Sequence, residues 1–311
     1  MLRSSFALAC ALIAPLLWQS TAAAQYNASK GINQPRRRVQ VRALDASTGK
    51  WQTRTEYRPA KRDSYGNAAG NQYDLAVDGA FEGQTVAVLH LYTGEGFDFR
   101  LPRAALKQKG FSVYRWSNAA PSPKELQKAL KKACQLWIIS SNTRMLNNQH
   151  LKVIKRFFDS GRGVYIWGDN EPYYADANFV AQGLLGATMK GNLMGNKTVT
   201  MWPRQGKAGL LPNHLLTTGL AHLFEGITIA TLQPGQARIK PLLYGSANNL
   251  VTAYYDHGGK RAILDGGFTR LFIHWDTAGT ARYVKNAASW LVNYERFGKS
   301  VLAQGPQARR Y

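Results

Sequence analysis

Three features are scarce in this sequence: cysteines, acidic residues and long hydrophobic runs. Two cysteines among 311 residues exclude a scaffold held together by disulfides. After residue 24 no apolar run approaches the ~20 residues of a membrane-spanning helix, which excludes a polytopic membrane protein. Because 18 Asp and Glu oppose 40 Lys and Arg, the formal net charge is +22. This charge favours anionic partners, such as cell-wall polymers, lipid headgroups, nucleic acid or acidic proteins.

Hydrophobic and aromatic residues, in contrast, are plentiful. Hydrophobic residues make up 45% of the chain, which contains 8 Trp, 15 Tyr and 12 Phe. This content excludes wholesale disorder and is enough to build a substantial core. The length allows one large domain or two small ones.

Residues 1–24 have the parts of a secretory signal peptide. Arg3 supplies a positive start, residues 6–18 are apolar, and the small residues 22–24 offer a cleavage site before Gln25. A short membrane anchor is the alternative, but the apolar stretch is too short for one. We therefore expect an exported protein, periplasmic or secreted, with no transmembrane span after signal cleavage.

Residues 25–83 form a basic extension. Residues 39–44 and 51–57 alternate between apolar and polar types around a turn, which predicts a β-hairpin, and residues 58–80 have the composition of a linker. Two interpretations of this arm stay open, a docking element for an acidic partner and a solvated tail. The candidate polyanion-binding residues of the extension are Arg36, Arg37 and Arg38.

The sequence pattern of residues 84–297 predicts an α/β domain. Short apolar strands alternate with amphipathic helices up to about residue 185, which is typical of βαβ units with helices on both faces of a parallel sheet. The apolar runs 134–140 and 161–168 predict two of these strands. Ser122-Pro-Lys-Glu125 has the pattern of a capping box that begins one helix, and residues 146–159 predict another. The second half is richer in strands, and a helix over about 278–294 closes the domain. Residues 298–311 predict a frayed basic tail. The expected fold is a three-layer α/β sandwich with a mostly parallel central sheet.

This order of elements resembles the class I glutamine amidotransferase-like superfamily, which has a flavodoxin-like fold. Residues 168–171 (Gly-Asp-Asn-Glu) stand where that fold places its nucleophile elbow, a tight turn between strand and helix. Residues 213–220 and 224–228 resemble a segment of members that are not amidotransferases. Residues 274–276 (His-Trp-Asp) stand where glutaminases carry their His-x-acid pair.

The resemblance lacks the cysteine that a glutaminase needs at the elbow. Signal cleavage would remove Cys10, and Cys134, at the start of another strand, has the setting of a small buried hydrophobe. A hydrolase could instead use Asp169 as nucleophile or base, with His274 and Asp276 oriented around it. The alternative for Asp169 is that it or its neighbour caps the helix that follows.

Other candidate chemistry is limited. The loop after the first strand of the domain and the elbow supply candidate ligand-binding residues at the carboxyl edge of the sheet. These residues are Gly94, Glu95, Gly96, Asn170 and Glu171. The six histidines show no metal-ligand spacing, and there is neither a P-loop nor a GxGxxG motif, so we expect no metal and no cofactor.

The leading functional hypothesis is an exported, non-catalytic binding or assembly protein of the cell envelope. The resemblance implies this role, since members without the cysteine include components of intraflagellar transport and gliding motility. An anionic envelope component or a protein partner would be bound. A hydrolase and a polyanion- or nucleic-acid-binding protein are the alternatives, and export makes nucleic acid the less favoured partner. Basic residues on predicted helices could form such a patch or ordinary solvated faces: Lys107, Lys109, Lys124, Lys128, Lys131, Lys132, Lys152, Lys155 and Arg156.

The signal peptide gives the first testable prediction. Intact-mass analysis of the exported protein should find a chain that begins at Gln25, because the cleavage site follows three alanines. A mass that still includes Met1 would contradict it.

Overall fold

The computed structural model describes residue 27, residues 30–202 and residues 204–303. The predicted signal peptide and residues 304–311 of the predicted tail lie outside the described residues. The strands, in chain order, are β1 (Arg36–Leu44), β2 (Trp51–Pro59), β3 (Thr85–His90), β4 (Ser112–Ser117), β5 (Gln135–Ile139), β6 (Gly163–Trp167), β7 (Thr188–Met194), β8 (Thr198–Thr200), β9 (Gly209–Leu210), β10 (His222–Phe224), β11 (Thr228–Gln233), β12 (Lys240–Tyr244), β13 (Leu250–His257) and β14 (Lys260–Asp265). The helices are α1 (Arg100–Gln108), α2 (Pro123–Leu130), α3 (Asn148–Asp159), α4 (Ala175–Leu185), α5 (Thr280–Leu291) and α6 (Tyr294–Phe297).

An eight-stranded central sheet organises the chain. Its order is β4-β3-β5-β6-β14-β13-β12-β9. The first five strands in this order pair in parallel and the remaining pairs are antiparallel. Counted along the chain, the parallel strands have the order 2-1-3-4-5, which is that of flavodoxin-like folds. β5 and β6 are buried at every position, as their continuous apolar sequences require for strands covered on both faces.

Helices cover both faces of the sheet. Residues of α2, α3 and α4 share one buried cluster with one side of the strands, and residues of α1 and α5 share a second cluster with the other side. This arrangement confirms the predicted three-layer α/β sandwich with a mostly parallel sheet. None of the helices in the described ranges is both long and apolar enough to cross a membrane.

Capping residues fix where two of these helices begin. The Ser122 hydroxyl accepts the Glu125 N–H at 3.3 Å, and the Glu125 carboxylate accepts the Ser122 N–H at 2.8 Å. This capping box confirms the predicted start of α2. Asn147 caps α3 in the same way with His150, so that helix begins at residue 148 and not at the expected residue 146.

The predicted β-hairpin is confirmed. β1 and β2 pair antiparallel over their whole length and form a separate two-stranded sheet. At its root, the Ala60 N–H donates to the Pro35 carbonyl at 2.9 Å. The buried Asn33 side chain donates to the carbonyls of Thr217 and Leu220, both at 2.9 Å. The hairpin is therefore anchored at its base.

Residues 67–81 differ from the linker that their composition suggests. Ala68, Leu75, Ala76 and Phe81 are buried with the domain core. The Asn67 side chain bonds the backbone of Ala221 and His222. The folded unit thus includes residues that precede position 84. The polar composition did not reveal this, because Asn67 and Asp74 are buried against partners that are distant in sequence.

A strand that the sequence did not predict, β7, pairs antiparallel with β11. Lys190, Gly191 and Asn192 lie in its middle and interrupt the apolar pattern of a strand. The irregular register opposite Ile229 and Thr231 accommodates this segment. Pairing with a partner distant in sequence, and not local propensity, therefore determines β7.

Buried charges join the N-terminal segment to the domain. The Asp74 carboxylate is fully buried and contacts Lys109 Nζ at 2.9 Å, Arg282 Nε at 2.7 Å and Lys285 Nζ at 2.6 Å. Burial opposes ionisation, but these cations outweigh it and hold the pKa of Asp74 below its usual value. Lys109, which the sequence placed in a candidate basic patch, is itself fully buried and also contacts Asp78.

Asp74 should therefore be a critical residue for stability. Asp74→Asn should lower the free energy of unfolding by ~3–5 kcal/mol, because it leaves buried cations without their counter-charge. Chemical denaturation would measure this. As a control, Asp98→Asn breaks an exposed pair with Arg100 and should leave the unfolding midpoint unchanged. Equal effects of the two variants would contradict the prediction.

Candidate functional site

The carboxyl ends of the parallel strands lie at one edge of the sheet, where open α/β folds bind ligands. Loops 91–99, 168–174 and 266–279 follow β3, β6 and β14 at this edge. The predicted catalytic and ligand-binding residues all lie in these loops. To act together in catalysis, their reactive groups must be exposed and lie within hydrogen-bond distance of one another.

The loop after β3 is closed on itself. The Phe97 N–H donates to the Gly94 carbonyl at 3.0 Å, which forms a short 3-10 turn. Glu95 is exposed with φ at 53°, and Gly96 has φ at 76°. A Cβ at position 94 would lie 2.6 Å from the Tyr92 hydroxyl oxygen, so a larger residue there would displace the tyrosine ring. An aromatic side chain, and not an open cavity, covers this turn.

Asp169 is buried at the predicted elbow, with 1% of its surface exposed. Its Oδ1 accepts the Asn170 N–H at 2.9 Å and the Thr228 hydroxyl at 3.4 Å. Burial raises the pKa of Asp169 well above its usual value. Burial therefore opposes ionisation of this carboxyl group, and the ionised form is the one that acts as a nucleophile or a base.

The prediction that Asp169 or Asn170 caps the following helix is wrong. That helix, α4, begins only at Ala175, and its first turn is capped from another strand end. The Ser140 hydroxyl accepts the N–H groups of Asp176 at 2.9 Å and Ala177 at 3.1 Å. Seven residues, 168–174, connect β6 to α4, and this connection is longer than the tight elbow that the resemblance implies.

Asn170 and Glu171 extend outward from the same loop. Asn170 is half-buried, and its side-chain amide donates to the Glu171 carbonyl at 2.9 Å. Glu171 is exposed, while its N–H donates to the Gly191 carbonyl at 3.0 Å in β7. The backbone of this loop is thus tied to β7, and the Glu171 carboxylate is the one exposed acid that it offers.

His274 and Asp276 are both exposed on the loop after β14. The His274 ring packs against Phe224, with centroids 5.4 Å apart, and its backbone has φ at 58°. Among the described residues, neither side chain hydrogen-bonds to Asp169. The structure therefore brings the three predicted catalytic residues to one edge of the sheet without joining them into a hydrogen-bonded group.

Aromatic rings fill the space between these loops. Tyr92 contacts Tyr173 and Phe268, with ring centroids 5.1 and 5.2 Å apart. Phe97 stacks on Phe272 at 4.4 Å. These contacts join the loops after β3, β6 and β14, so packed rings occupy the crevice that a ligand would enter.

A buried polar network that the sequence did not reveal lies at the end of β14. Arg270 Nη2 donates to Asp265 Oδ1 at 2.6 Å, and both residues are fully buried. The hydroxyl oxygens of Tyr165 and Tyr283 lie 2.8 Å apart, and each lies 3.3 Å from Asp265 Oδ2, so two hydroxyl protons serve three contacts. The partners come from three distant segments, so no local motif could have predicted the network.

Cys134 lies before β5, at the opposite edge of the sheet from Asp169. It is a free thiol with 2% of its surface exposed, and burial raises its pKa to about 12. A thiol in this state is a buried hydrophobe and no nucleophile.

The part of the chain that the structure describes holds no group of three or more His, Cys, Asp or Glu that could bind a metal.

The two faces of the hairpin differ sharply. The β1–β2 register places Val39, Val41 and Ala43 on one face, and these residues are half-buried. The other face, called here the arginine face, is exposed at every position. It consists of Arg36, Arg38, Gln40, Arg42, Leu44, Trp51, Thr53, Thr55, Tyr57 and Pro59.

The arginine face contains three cations and no acid. Trp51 and Tyr57 are each 62% exposed, and the Arg42 guanidinium lies 5.8 Å from the Trp51 ring centroid. Glu56, on the other face, pairs with Arg54 at 2.7 Å and with Arg58 at 3.0 Å. Of the candidate polyanion-binding residues, Arg36 and Arg38 belong to the arginine face, whereas Arg37 lies on the other face.

No family profile and no curated protein matches the sequence. The chain is similar to a putative ThuA-like protein from Parabacteroides merdae, with 12% identity over 68% of this chain and 90% of that chain and a TM-score of 0.43. The glutaminase domain of a Trypanosoma brucei CTP synthase, with bound acivicin, is 9% identical over 66% of this chain and 94% of that chain, with a TM-score of 0.35.

An exo-β-1,4-mannosidase from Opitutaceae bacterium strain TAV5 is also similar. It is 10% identical over 68% of this chain, with a TM-score of 0.38, and the match spans 36% of the mannosidase chain.

Substitutions at Asp169 should distinguish a buried polar group from a catalytic one. Asp169→Asn should preserve both fold and function, because the amide has nearly the shape of the carboxyl group, keeps an acceptor oxygen and buries no charge. Asp169→Ala should cost ~1–3 kcal/mol of stability, because it leaves the Asn170 N–H and the Thr228 hydroxyl without their acceptor. A folded Asn variant that has lost its function, matched by His274→Ala, would indicate catalysis.

The pH dependence of stability tests the state of Asp169 separately. Because its folded-state pKa is raised above the ordinary 3.8, its contribution is complete below that value and is lost as pH rises through the folded pKa. The stability of Asp169→Asn relative to the unmodified protein should therefore increase as pH rises from about 4. Denaturation at a series of pH values would measure the difference, and a difference that falls with pH would contradict the assignment.

Proposed function

We propose that this protein is an exported, non-catalytic binding or assembly protein that attaches to an acidic protein partner through the arginine face of its hairpin. We further propose that it is a member of the class I glutamine amidotransferase-like superfamily that lacks the catalytic cysteine. The order of its parallel strands and the segments 168–171, 213–228 and 274–276 support this membership.

The observation that carries the proposal is the composition of the arginine face. Arg, Trp and Tyr are the residue types that contribute most to protein–protein binding energy. Here all three types are exposed together on a two-stranded sheet, with no acid on the same face. Such a hairpin gains little stability by itself, since two strands alone are marginal in water. The face therefore fits a partner surface that supplies acidic groups and covers the rings.

The state of the sheet edge also supports binding over catalysis. Asp169 is buried, its burial opposes ionisation, and packed rings occupy the crevice between the loops. Cys134 is buried at the far edge. The residues that a hydrolase would need are thus either inaccessible or unconnected, whereas the arginine face is accessible along its whole length.

Charge reversal on the arginine face should release the protein from its partner. The variant Arg36→Glu/Arg38→Glu/Arg42→Glu should lose most of its retention on the cell-envelope fraction. The retention that remains should depend less on salt, because exposed charges are screened within ~8–10 Å at physiological ionic strength. Thermal stability should be unchanged, since these side chains are exposed.

The matched control carries the same change of charge on the domain. Lys107→Glu/Lys152→Glu/Lys190→Glu alters exposed residues of α1, α3 and β7 and should be retained normally. Equal loss in both variants would mean that net charge, and not the hairpin, holds the protein. Release of the unmodified protein by nuclease treatment would identify nucleic acid as the partner and overturn the proposal.

A further inference from the structure

Strand β4 is an open edge of the central sheet. The Ser112 N–H donates to the Gln84 carbonyl and the Asn118 N–H to the His90 carbonyl, both at 2.9 Å. In a parallel ladder, alternate residues bond the same neighbouring strand. The even-numbered residues of β4 therefore bond β3, and Val113, Arg115 and Ser117 direct their N–H and C=O groups away from the sheet.

A cavity borders this edge. Its volume is about 490 Å³, and it lies between the strand and α2. Tyr114 is 53% exposed, and its ring contacts Trp116 edge-to-face with centroids 4.9 Å apart. The cavity is lined by Thr85, Tyr114, Glu125, Lys128, Ala129 and Lys132.

The charge around the edge is positive. Lys128 and Lys132 are exposed, and neither forms an ion pair within the described part of the chain. Glu125, the acid of the cavity, is engaged with Ser122 in the capping box. On the other face of the strand, Arg115 Nη1 contacts His90 Nδ1 at 2.6 Å.

We propose that the free edge of β4 binds an extended acidic segment of a partner protein by β-strand addition. The outward backbone groups of Val113, Arg115 and Ser117 supply the main-chain hydrogen bonds. An apolar side chain of the segment enters the cavity beside Tyr114, and its carboxylates meet Lys128 and Lys132. This site is separate from the hairpin and does not depend on the function proposed for it.

A second copy of this chain is the competing occupant of the edge. Pairing of two β4 strands would bring together the cations that flank each of them, Arg115, Lys128 and Lys132. Like charges at a strand edge oppose self-pairing, which is a common protection of exposed edges. Charge complementarity therefore favours an acidic strand over a copy of the same strand.

Amide hydrogen exchange with a synthetic peptide tests the proposal on the full chain. The probe is a short peptide of alternating Glu and Val with a central Phe, added to the isotope-labelled protein. Exchange at Val113, Arg115 and Ser117 should be fast in the free protein and slow with peptide. Exchange at Ser112, Tyr114 and Trp116 should be slow in both states, because their N–H groups already bond β3.

Matched variants separate strand addition from general attraction. Lys128→Glu/Lys132→Glu should weaken binding of the labelled peptide about tenfold, whereas Lys107→Glu/Lys152→Glu, with the same change of charge, should not. A peptide methylated at the amide nitrogens that face β4 keeps its charge and should not bind.

Three results would overturn the proposal. The first is no binding of the unmethylated peptide. The second is binding without slower exchange at Val113, Arg115 and Ser117. The third is slower exchange at these residues that increases with protein concentration in the absence of peptide, which would assign the edge to a second copy.

Discussion

The buried carboxylate of Asp74 is the interaction on which the arrangement of the chain depends. It joins three parts that are distant in sequence: the segment before β3, the end of α1 and the helix α5. Burying charged groups is costly in free energy unless their geometry and hydrogen bonding are good. The Arg282 guanidinium offsets this cost by donating to the carbonyls of Ala68, Gly70 and Gly219 as well as to Asp74. The segment that leads out of the hairpin is consequently fixed to the domain.

The buried polar groups at the carboxyl edge of the parallel strands are engaged within the core of the domain. At this edge, where open α/β sheets bind ligands, the Asp265 carboxylate contacts Arg270 and two tyrosine hydroxyls. The Asp169 carboxyl group accepts a backbone N–H and a threonine hydroxyl. Rings close the remaining space. Because function belongs to a site and not to a fold, the architecture by itself assigns no activity to this edge. Exposed charged and backbone groups lie on the hairpin and beside β4.

The sequence predicted the features that local pattern determines. The apolar runs of β5 and β6, the capping box of Ser122 and the alternation of the hairpin each depend on neighbouring residues, and each was found as predicted. The features that it missed depend on distant partners. Residues 58–80 have the composition of a linker, but the Asp74 carboxylate within them contacts buried cations of the domain. Asp169 could cap α4 only if that helix began several residues before Ala175.

The net charge of the chain indicates the charge of its partners only after the buried, paired residues are excluded. Lys109, Arg270, Arg282 and Lys285 are buried and paired with acids, so they attract nothing from outside. Exposed cations lie on the hairpin and beside β4, next to backbone edges that could accept another strand, and also on α1, α3 and β7. An unpaired edge alone would bind any extended chain, including a copy of itself. Flanking cations oppose pairing with such copies and with basic segments, and on this ground we propose acidic partners for both sites.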